Sequence, residues 1–361
     1  MATIRDVAKH AAVSVATVSR VINDNGNVSA KTVRRVKRSI ATLGFEPDFL
    51  ARSWRTRVTH MIAAVVSDNT SPHHGIALRE ASTMALAHNY TLILCTTFFD
   101  PQIQKQYLRM LRERRVDGVL LNTVGQSEDE IRALTQSGIP IVLMNRPLGN
   151  YGPLVDAVVV DSYRGSRDLV EHLIRVGHRR IAMVYDQALN DFHKHERLRG
   201  YRDALRANDL PYDENLVCAT KLSHGTGVEG VAHPLTFSPR PTALYAAGYG
   251  TGLATIAALR AQGLRIPADI AFAMFDDVTW GEFIDPPLTT VGNPAQELGR
   301  QAMELIFARL TDRERPPQEI RLKPSLVVRR SCGWPGRTEA SFAKARNTED
   351  SLIVDPVQAG R

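Results

Sequence analysis

The sequence predicts a small all-α helix-turn-helix head joined to an α/β body of two lobes with parallel sheets. Three observations carry this expectation. The 361 residues leave room for two or three domains rather than one. The net charge of +7 is confined to the first sixth of the chain: residues 1–60 hold eleven lysines and arginines against four acids, and the remaining 34 bases and 34 acids cancel. From Met61 onward, apolar runs of four to seven residues alternate with stretches of helical periodicity, the pattern of strands and crossover helices.

Each element of the head has its own signal. Thr3 can cap a helix with Asp6 three residues on, and Ile4, Val7, Ala8 and Ala11 then share one face. After a break at Ala12-Val13, Ser14 can cap a second helix with Val18, Val21 and Ile22 inward, ended by Asn25-Gly26. Ser29 can cap a third, with Val33, Val36, Ile40 and Leu43 inward and Lys31, Arg34, Arg35, Lys37 and Arg38 outward, stopped by Gly44. Two short helices with a tight turn, braced by a third, make a helix-turn-helix unit. Its basic outer face suits a polyanion. Pro47 blocks continuation of the third helix, and Asp48 can cap a short segment from Phe49 to Arg57.

In the body, strands are expected near 61–67, 91–96, 116–122, 139–144 and 156–160, and then near 180–185, 215–220, 242–247, 269–275 and 320–328. Two sets mean two lobes of similar design. In open parallel sheets, ligands bind outside the carboxyl ends of the strands, so facing lobes form a cleft there. The expected division is a head at 1–46, a hinge at 47–60, a body at 61–330 and a disordered tail at 331–361. Lobe 1 takes about 61–160 and 291–319, and lobe 2 about 161–290 and 320–330. The tail lacks leucines at heptad spacing, so no coiled coil is expected there.

Several classes of function fit poorly. No apolar run reaches the ~18 residues of a membrane span. The N-terminus lacks an apolar signal core, so a cytoplasmic location is expected. Cys95, Cys218 and Cys332 are odd in number, widely spaced and without a CxxC. The eleven histidines show no metal-ligand spacing, and no cofactor is expected. Gly225 to Gly230 satisfies GxGxxG, but no strand immediately precedes it, and none ending in an acid follows at the required distance. With no GxxxxGK[ST], HExxH or GxSxG either, an enzyme is not expected.

The strings ATVSRVIN (16–23) and FEPDFLAR (45–52), at this separation, resemble the N-terminus of the lactose/galactose-repressor family of bacterial transcription regulators. The likeness runs to about residue 330 through GHRRIAMV, ERLRGYRDAL and RIPADIAFAMFDDVTWGEFIDPPLTTV. It implies a body like the periplasmic sugar-binding proteins, crossed three times by the chain near residues 160, 290 and 320. It implies a homodimer on a palindromic duplex operator, with a sugar or sugar acid as effector between the lobes. The second helix would then enter the major groove. Candidate DNA-binding residues in the head are Thr3, Ser14, Val15, Ala16, Thr17, Ser19, Arg20 and Asn23. Arg20 can donate a fork of two bonds to guanine, Val15 and Ala16 can pack on thymine methyls, and Ser19 and Asn23 suit phosphates. The Phe49–Arg57 segment resembles the family's hinge helix, with Ala51 and Arg52 at matching positions, Trp54 where a leucine is usual, and Leu50 on the same face as its packing partner. In that resemblance Trp54 is the wedge that opens a base step in the minor groove.

For the cleft, the same resemblance singles out Asn69, His73, His74, Asp161, Arg197, Leu222, Tyr249 and Asp276 as effector-binding candidates. Arg197 matches the gripping arginine of ERLxG, and Asp276 the acid at a strand end. Capping or strand-end bonding is an equal reading for Asp161 and Asp277. Gly248-Tyr249 stands where the family usually has Asn-Asp. That loss, together with His73, His74 and Arg197, tilts the pocket toward an anionic or less hydroxylated effector, such as a sugar acid. A pocket lined by imidazoles is expected to titrate near neutral pH.

Overall fold

Thr3 and Ser29 start their helices through their own side chains. In the computed structural model, Thr3 Oγ1 accepts from the Asp6 amide while Asp6 takes the Thr3 amide in return, and helix α1 (Ile4–His10) follows. Helix α2 (Val15–Ile22) begins after Ser14, whose hydroxyl accepts from the Thr17 amide at 3.1 Å. Ser29 caps helix α3 (Ala30–Leu43), which ends on Gly44 at φ 56°, a left-handed conformation that costs glycine little. Val7, Ala8, Ala11, Val18, Val21 and Val36 close a small core among the three helices. His10 and Ser39 add a 2.9 Å bond between α1 and α3.

The structure describes residues 2–22, 28–45, 58–68, 70–125, 127–147, 154–187, 191–222 and 228–334. Asn23, the Phe49–Arg57 segment with Leu50, Ala51 and Trp54, Asn69, and the tail from 335 lie outside the described residues. The chain divides into two compact units, one ending at Thr59 and the other beginning at His60.

In the second unit, continuous apolar runs form strands buried on both faces, as parallel sheets require. The first lobe contains β1 (Met61–Val66), α4 (Pro72–Ala87), β2 (Thr91–Thr96), α5 (Pro101–Arg114), β3 (Gly118–Leu121), α6 (Glu128–Gln136), β4 (Ile141–Met144) and β5 (Val155–Val160). The second contains α7 (Ser162–Val176), β6 (Ile181–Asp186), α8 (Asp191–Ala207), β7 (Val217–Thr220), α9 (Val228–Ala232), β8 (Ala243–Ala246), α10 (Tyr249–Ala261), β9 (Ala271–Phe275) and β10 (Thr289–Gly292). Then α11 (Ala295–Thr311) and β11 (Glu319–Leu322) return to lobe 1, and β12 (Ser325–Val327) ends in lobe 2. Strand order is β11-β5-β4-β3-β1-β2 in one sheet and β12-β10-β9-β8-β6-β7 in the other. All pairings are parallel except β10 with β12.

The chain thus passes between the sheets at 160–162, 292–295 and 322–325. Two sequence expectations are corrected. The single strand expected at 320–328 is two strands on different sheets, parted at Pro324, which cannot donate to a ladder, and the last crossing lies between them at 322–325. Strand β10, absent from the expected set, lies next to the edge of the second sheet, antiparallel to β12 and parallel to β9. Helix α11 lies so close to α4 that a Cβ on Gly299 would meet the Ala77 carbonyl oxygen at 2.2 Å. Below it, Arg309 and Asp156 form a fully buried ion pair.

Candidate functional site

The head offers a surface with two kinds of group. Val15 and Ala16 at the start of α2 are exposed, and so are Arg20 on its last turn and Lys31, Arg34, Arg35, Lys37 and Arg38 along α3. Apolar side chains at the front of a helix, with cations around them, suit a groove edged by phosphates. Thr3 and Ser14 are engaged in caps, and Thr17 Oγ1 lies 2.9 Å from Ser14 Oγ. Their immediate role is therefore to fix where α1 and α2 begin.

In the body, polar side chains from the carboxyl ends of both sheets converge between the lobes. Arg197, on α8, is 5% exposed. Its guanidinium lies 3.7 Å above the Phe275 ring, and Nη1 donates to the Ala247 carbonyl at 2.8 Å. Asp276 follows β9 at φ 76°. Its carboxylate accepts from the Tyr249 amide at 3.1 Å and from Asn293 Nδ2. From lobe 1, His73 Nε2 lies 3.2 Å from Asn145 Nδ2. An amide donor there makes Nε2 the acceptor and leaves the ring proton on Nδ1. His193, four residues before Arg197 on the same helix, takes its Nδ1 contact from Ser162 Oγ at 2.9 Å. It also bonds to the Asn145 backbone and so links the two lobes.

The cluster holds unmet polar groups: among the described residues, His73 Nδ1, Asn145 Oδ1, Arg197 Nε and Asn293 Oδ1 are buried without a hydrogen-bond partner. Such groups cost free energy unless something meets them. Burial pushes His73 down to about 4, against the pull of Asp276 and helped by His74 and Arg197. Burial, then Arg197 and His73, hold His193 well below its ordinary range. The expectation of titration near neutral pH is therefore corrected for these two rings: burial holds both below the ordinary imidazole range. Beside the cluster runs a groove of about 680 Å³, lined in part by Pro72, Arg79, Asp277, Thr279 and Asn293.

The structure brings together His73, Arg197 and Asp276 of the expected set. Tyr249 reaches Asp276 through its backbone, while its ring packs edge-on against Trp280 at 6.2 Å. His74 Nδ1 is 2.6 Å from the Asp68 carbonyl, at the rim. Asp161 caps α7, accepting from the Arg164 amide at 3.0 Å. Leu222 packs on Val184, Val231, Ala254 and Ala258, in lobe-2 core rather than in the polar cluster. Asp277 is held by Arg329 and Thr290. Asn145, His193 and Asn293 were not anticipated. A signal existed for two of them: Asn145 follows the carboxyl end of a predicted strand, and His193 lies one helical turn from Arg197. Among the described residues, no group of three or more His, Cys, Asp or Glu is placed to hold a metal ion. Nor is any described helix long and apolar enough to cross a membrane.

Comparison with known proteins agrees with this architecture. The family described as "Bacterial regulatory proteins, lacI family" matches residues 3–48, and "Periplasmic binding protein-like domain" matches residues 170–332. The HTH-type transcriptional regulator DegA of Bacillus subtilis is 33% identical over 334 residues, covering 91% of this chain and 97% of the relative. The HTH-type transcriptional repressor PurR of Aliivibrio fischeri is also 33% identical, with 92% and 98% covered. A solved complex of the transcriptional regulator CelR with cellobiose superposes with a TM-score of 0.69 at 33% identity, covering 92% of this chain and all of that one. These relatives are regulators rather than enzymes. The chain belongs to the LacI family of bacterial DNA-binding transcriptional regulators.

Proposed function

We propose that the protein is a homodimeric cytoplasmic repressor whose affinity for a palindromic operator is set by a sugar or sugar acid held between its lobes. The observation that carries this is the polar cluster of His73, Asn145, Arg197, Asp276 and Asn293, contributed by both lobes and, among the described residues, short of hydrogen-bond partners. A polar small molecule meets those groups, and a relative with cellobiose bound supports a sugar-like one. Val15, Ala16, Thr17 and Arg20 read base edges, Ser19 and Asn23 set register on phosphates, and Leu50, Ala51 and Trp54 act in the minor groove. Of the remaining candidates, Asn69 and His74 are assigned to the rim around Arg197, Asp276 and His73, whereas Asp161 caps α7 and Leu222 packs in the lobe-2 core.

A second copy is favoured by apolar surface on lobe 1. Phe98 is 70% and Leu86 76% exposed, and Leu94 lies on the open edge strand β2. Two heads related by a two-fold axis call for inverted half-sites. Effector and operator affinities are then reciprocally linked, typically by about 1–3 kcal/mol. The test is selection of bound duplexes from a random pool, followed by titration of the winning sequence with candidate sugars. An inverted repeat whose retention changes with a ligand, and no longer does in Arg197→Ala, is expected. A pool without a symmetric motif refutes the operator; a motif indifferent to every ligand refutes the effector.

A further inference from the structure

We infer that lobe 2 carries a docking groove for a segment of this chain's own C-terminal tail, residues 349–355, apart from the effector cleft. Three stretches build the groove. The turn at 264–267 leads from α10 toward β9, Asp285-Pro286 leads into β10, and Gly333-Trp334 follows β12. Strands β9 and β10 run parallel and β12 runs against β10, so all three stretches lie at the amino ends of the parallel strands. The effector cluster lies at the carboxyl ends, on the other side of the sheet's length.

The groove holds about 540 Å³. Leu259, Leu264, Ile266 and Pro286 make its lining apolar, and Trp334 in its wall is 40% exposed. Its charged lining is Arg260, Arg265 and Arg330 against the single acid Asp285. Arg265 is held in place by Asp269, which accepts from Nε at 2.9 Å. Arg330 meets Asp285 only at 3.4 Å, with both side chains mostly exposed. No ion pair engages Arg260 among the described residues. Apolar surface rimmed by surplus positive charge suits an apolar segment flanked by acids.

The tail supplies such a segment. The described residues end at Trp334, itself in the groove wall, and twenty-seven residues follow. Among those, Leu352, Ile353 and Val354 are the one run of three apolar residues. Glu349 and Asp350 precede it, Asp355 follows it, and no base falls between 349 and 355. Fifteen residues lead from Trp334 to Glu349, a reach of up to about 50 Å, so the segment can return to the place where the tail begins. A ligand on so short a tether has an effective concentration of about 1 mM, and a free affinity of about 100 μM then keeps it docked about 90% of the time. A segment of another copy competes only at comparable chain concentrations.

Hydrogen exchange and peptide binding on the full chain test this. The amides of Leu352, Ile353 and Val354 should exchange about tenfold more slowly in the parent than in Arg260→Glu/Arg330→Glu, and equally so over a tenfold range of chain concentration. The second readout is the anisotropy of a labelled synthetic peptide of residues 347–358. It should bind about tenfold more tightly to Leu352→Asp/Val354→Asp, whose own tail leaves the groove open, than to the parent. Adding Arg260→Glu/Arg330→Glu to that variant should abolish the gain, and a scrambled peptide should not show it. The inference is overturned by tail amides that exchange alike in parent and arginine variant, or by a peptide that binds parent and tail variant equally. Protection that rises with chain concentration overturns it too, since the occupant is then the tail of a second copy. Neither readout involves operator or effector.

Discussion

The buried ion pair beneath α11 makes a prediction that can be worked through. Arg309 is 0% and Asp156 1% exposed at the side chain. Arg309 Nη2 meets the two carboxylate oxygens at 2.9 and 3.0 Å, and Nε reaches Oδ2 at 3.1 Å. The same guanidinium collects the carbonyls of Arg313, Arg315 and Pro316, and Asp156 also accepts the Gln318 amide at 2.8 Å. The pair therefore ties the end of α11 to the loop that leads into β11. In Arg309→Met the carboxylate stays buried, with Arg315 at 3.5 Å as the one cation left beside it among the described residues. Removing one partner of a buried pair costs about 3–5 kcal/mol. At roughly 2–4 °C per kcal/mol for a domain of this size, the melting temperature should fall by roughly 6–20 °C. Replacing both partners, in Asp156→Leu/Arg309→Met, should recover more than half of the loss, because no charge is then stranded. Urea unfolding of the two single variants and the double variant gives the coupling directly. A loss below about 1 kcal/mol in Arg309→Met, or a double variant as damaged as the sum of the singles, refutes the reasoning.

Three further outcomes are expected. Arg20→Ala should weaken operator binding by about 1–3 kcal/mol, or roughly 5- to 150-fold, and relax selection at one base pair, read by competition with single-base operator variants. Ser29→Ala should remove the α3 cap at a cost of about 1 kcal/mol, seen as faster hydrogen exchange at the Thr32 amide in the full chain. His172 is buried against Cys332, with Nε2 3.2 Å from the thiol, and burial pushes it down to about 4. Its folded value lies below the unfolded one, so its support for the fold is full above about pH 6.5 and is lost as pH falls toward 4. His172→Gln should therefore lose less stability than the parent between pH 7 and 5, followed by thermal melts.

How much could be read beforehand varies with the range of the interaction. Thr3, Ser29 and Gly44 act within three or four residues of themselves, so the caps of the head were visible in the string. The buried runs at Met61–Val66 or Ala271–Phe275 announce themselves by composition. Strand β10 did not, since four residues with two threonines and a closing glycine, flanked by Pro287 and Pro294, resemble a turn. The cleft was partly visible because Arg197 and Asp276 stand in recognisable strings. The rest depends on partners far away in sequence. Asn145 meets His73 across 72 residues, and Asp277 is claimed by Arg329 across 52. Nothing local distinguishes Asp277, a structural anchor, from its neighbour Asp276, which faces the cleft.

The three crossings of the chain between the sheets also have a dynamic consequence. Two bodies joined by a single tether can wander, but three tethers side by side leave essentially a folding motion about one shared line. The torsional change is divided among residues 160–162, 292–295 and 322–325, so each needs only a modest rotation. Asn293 stands in the middle tether and also holds Asp276. Whatever settles against that carboxylate therefore pulls on the axle itself, and a stiffening substitution in any one tether should be felt by all three.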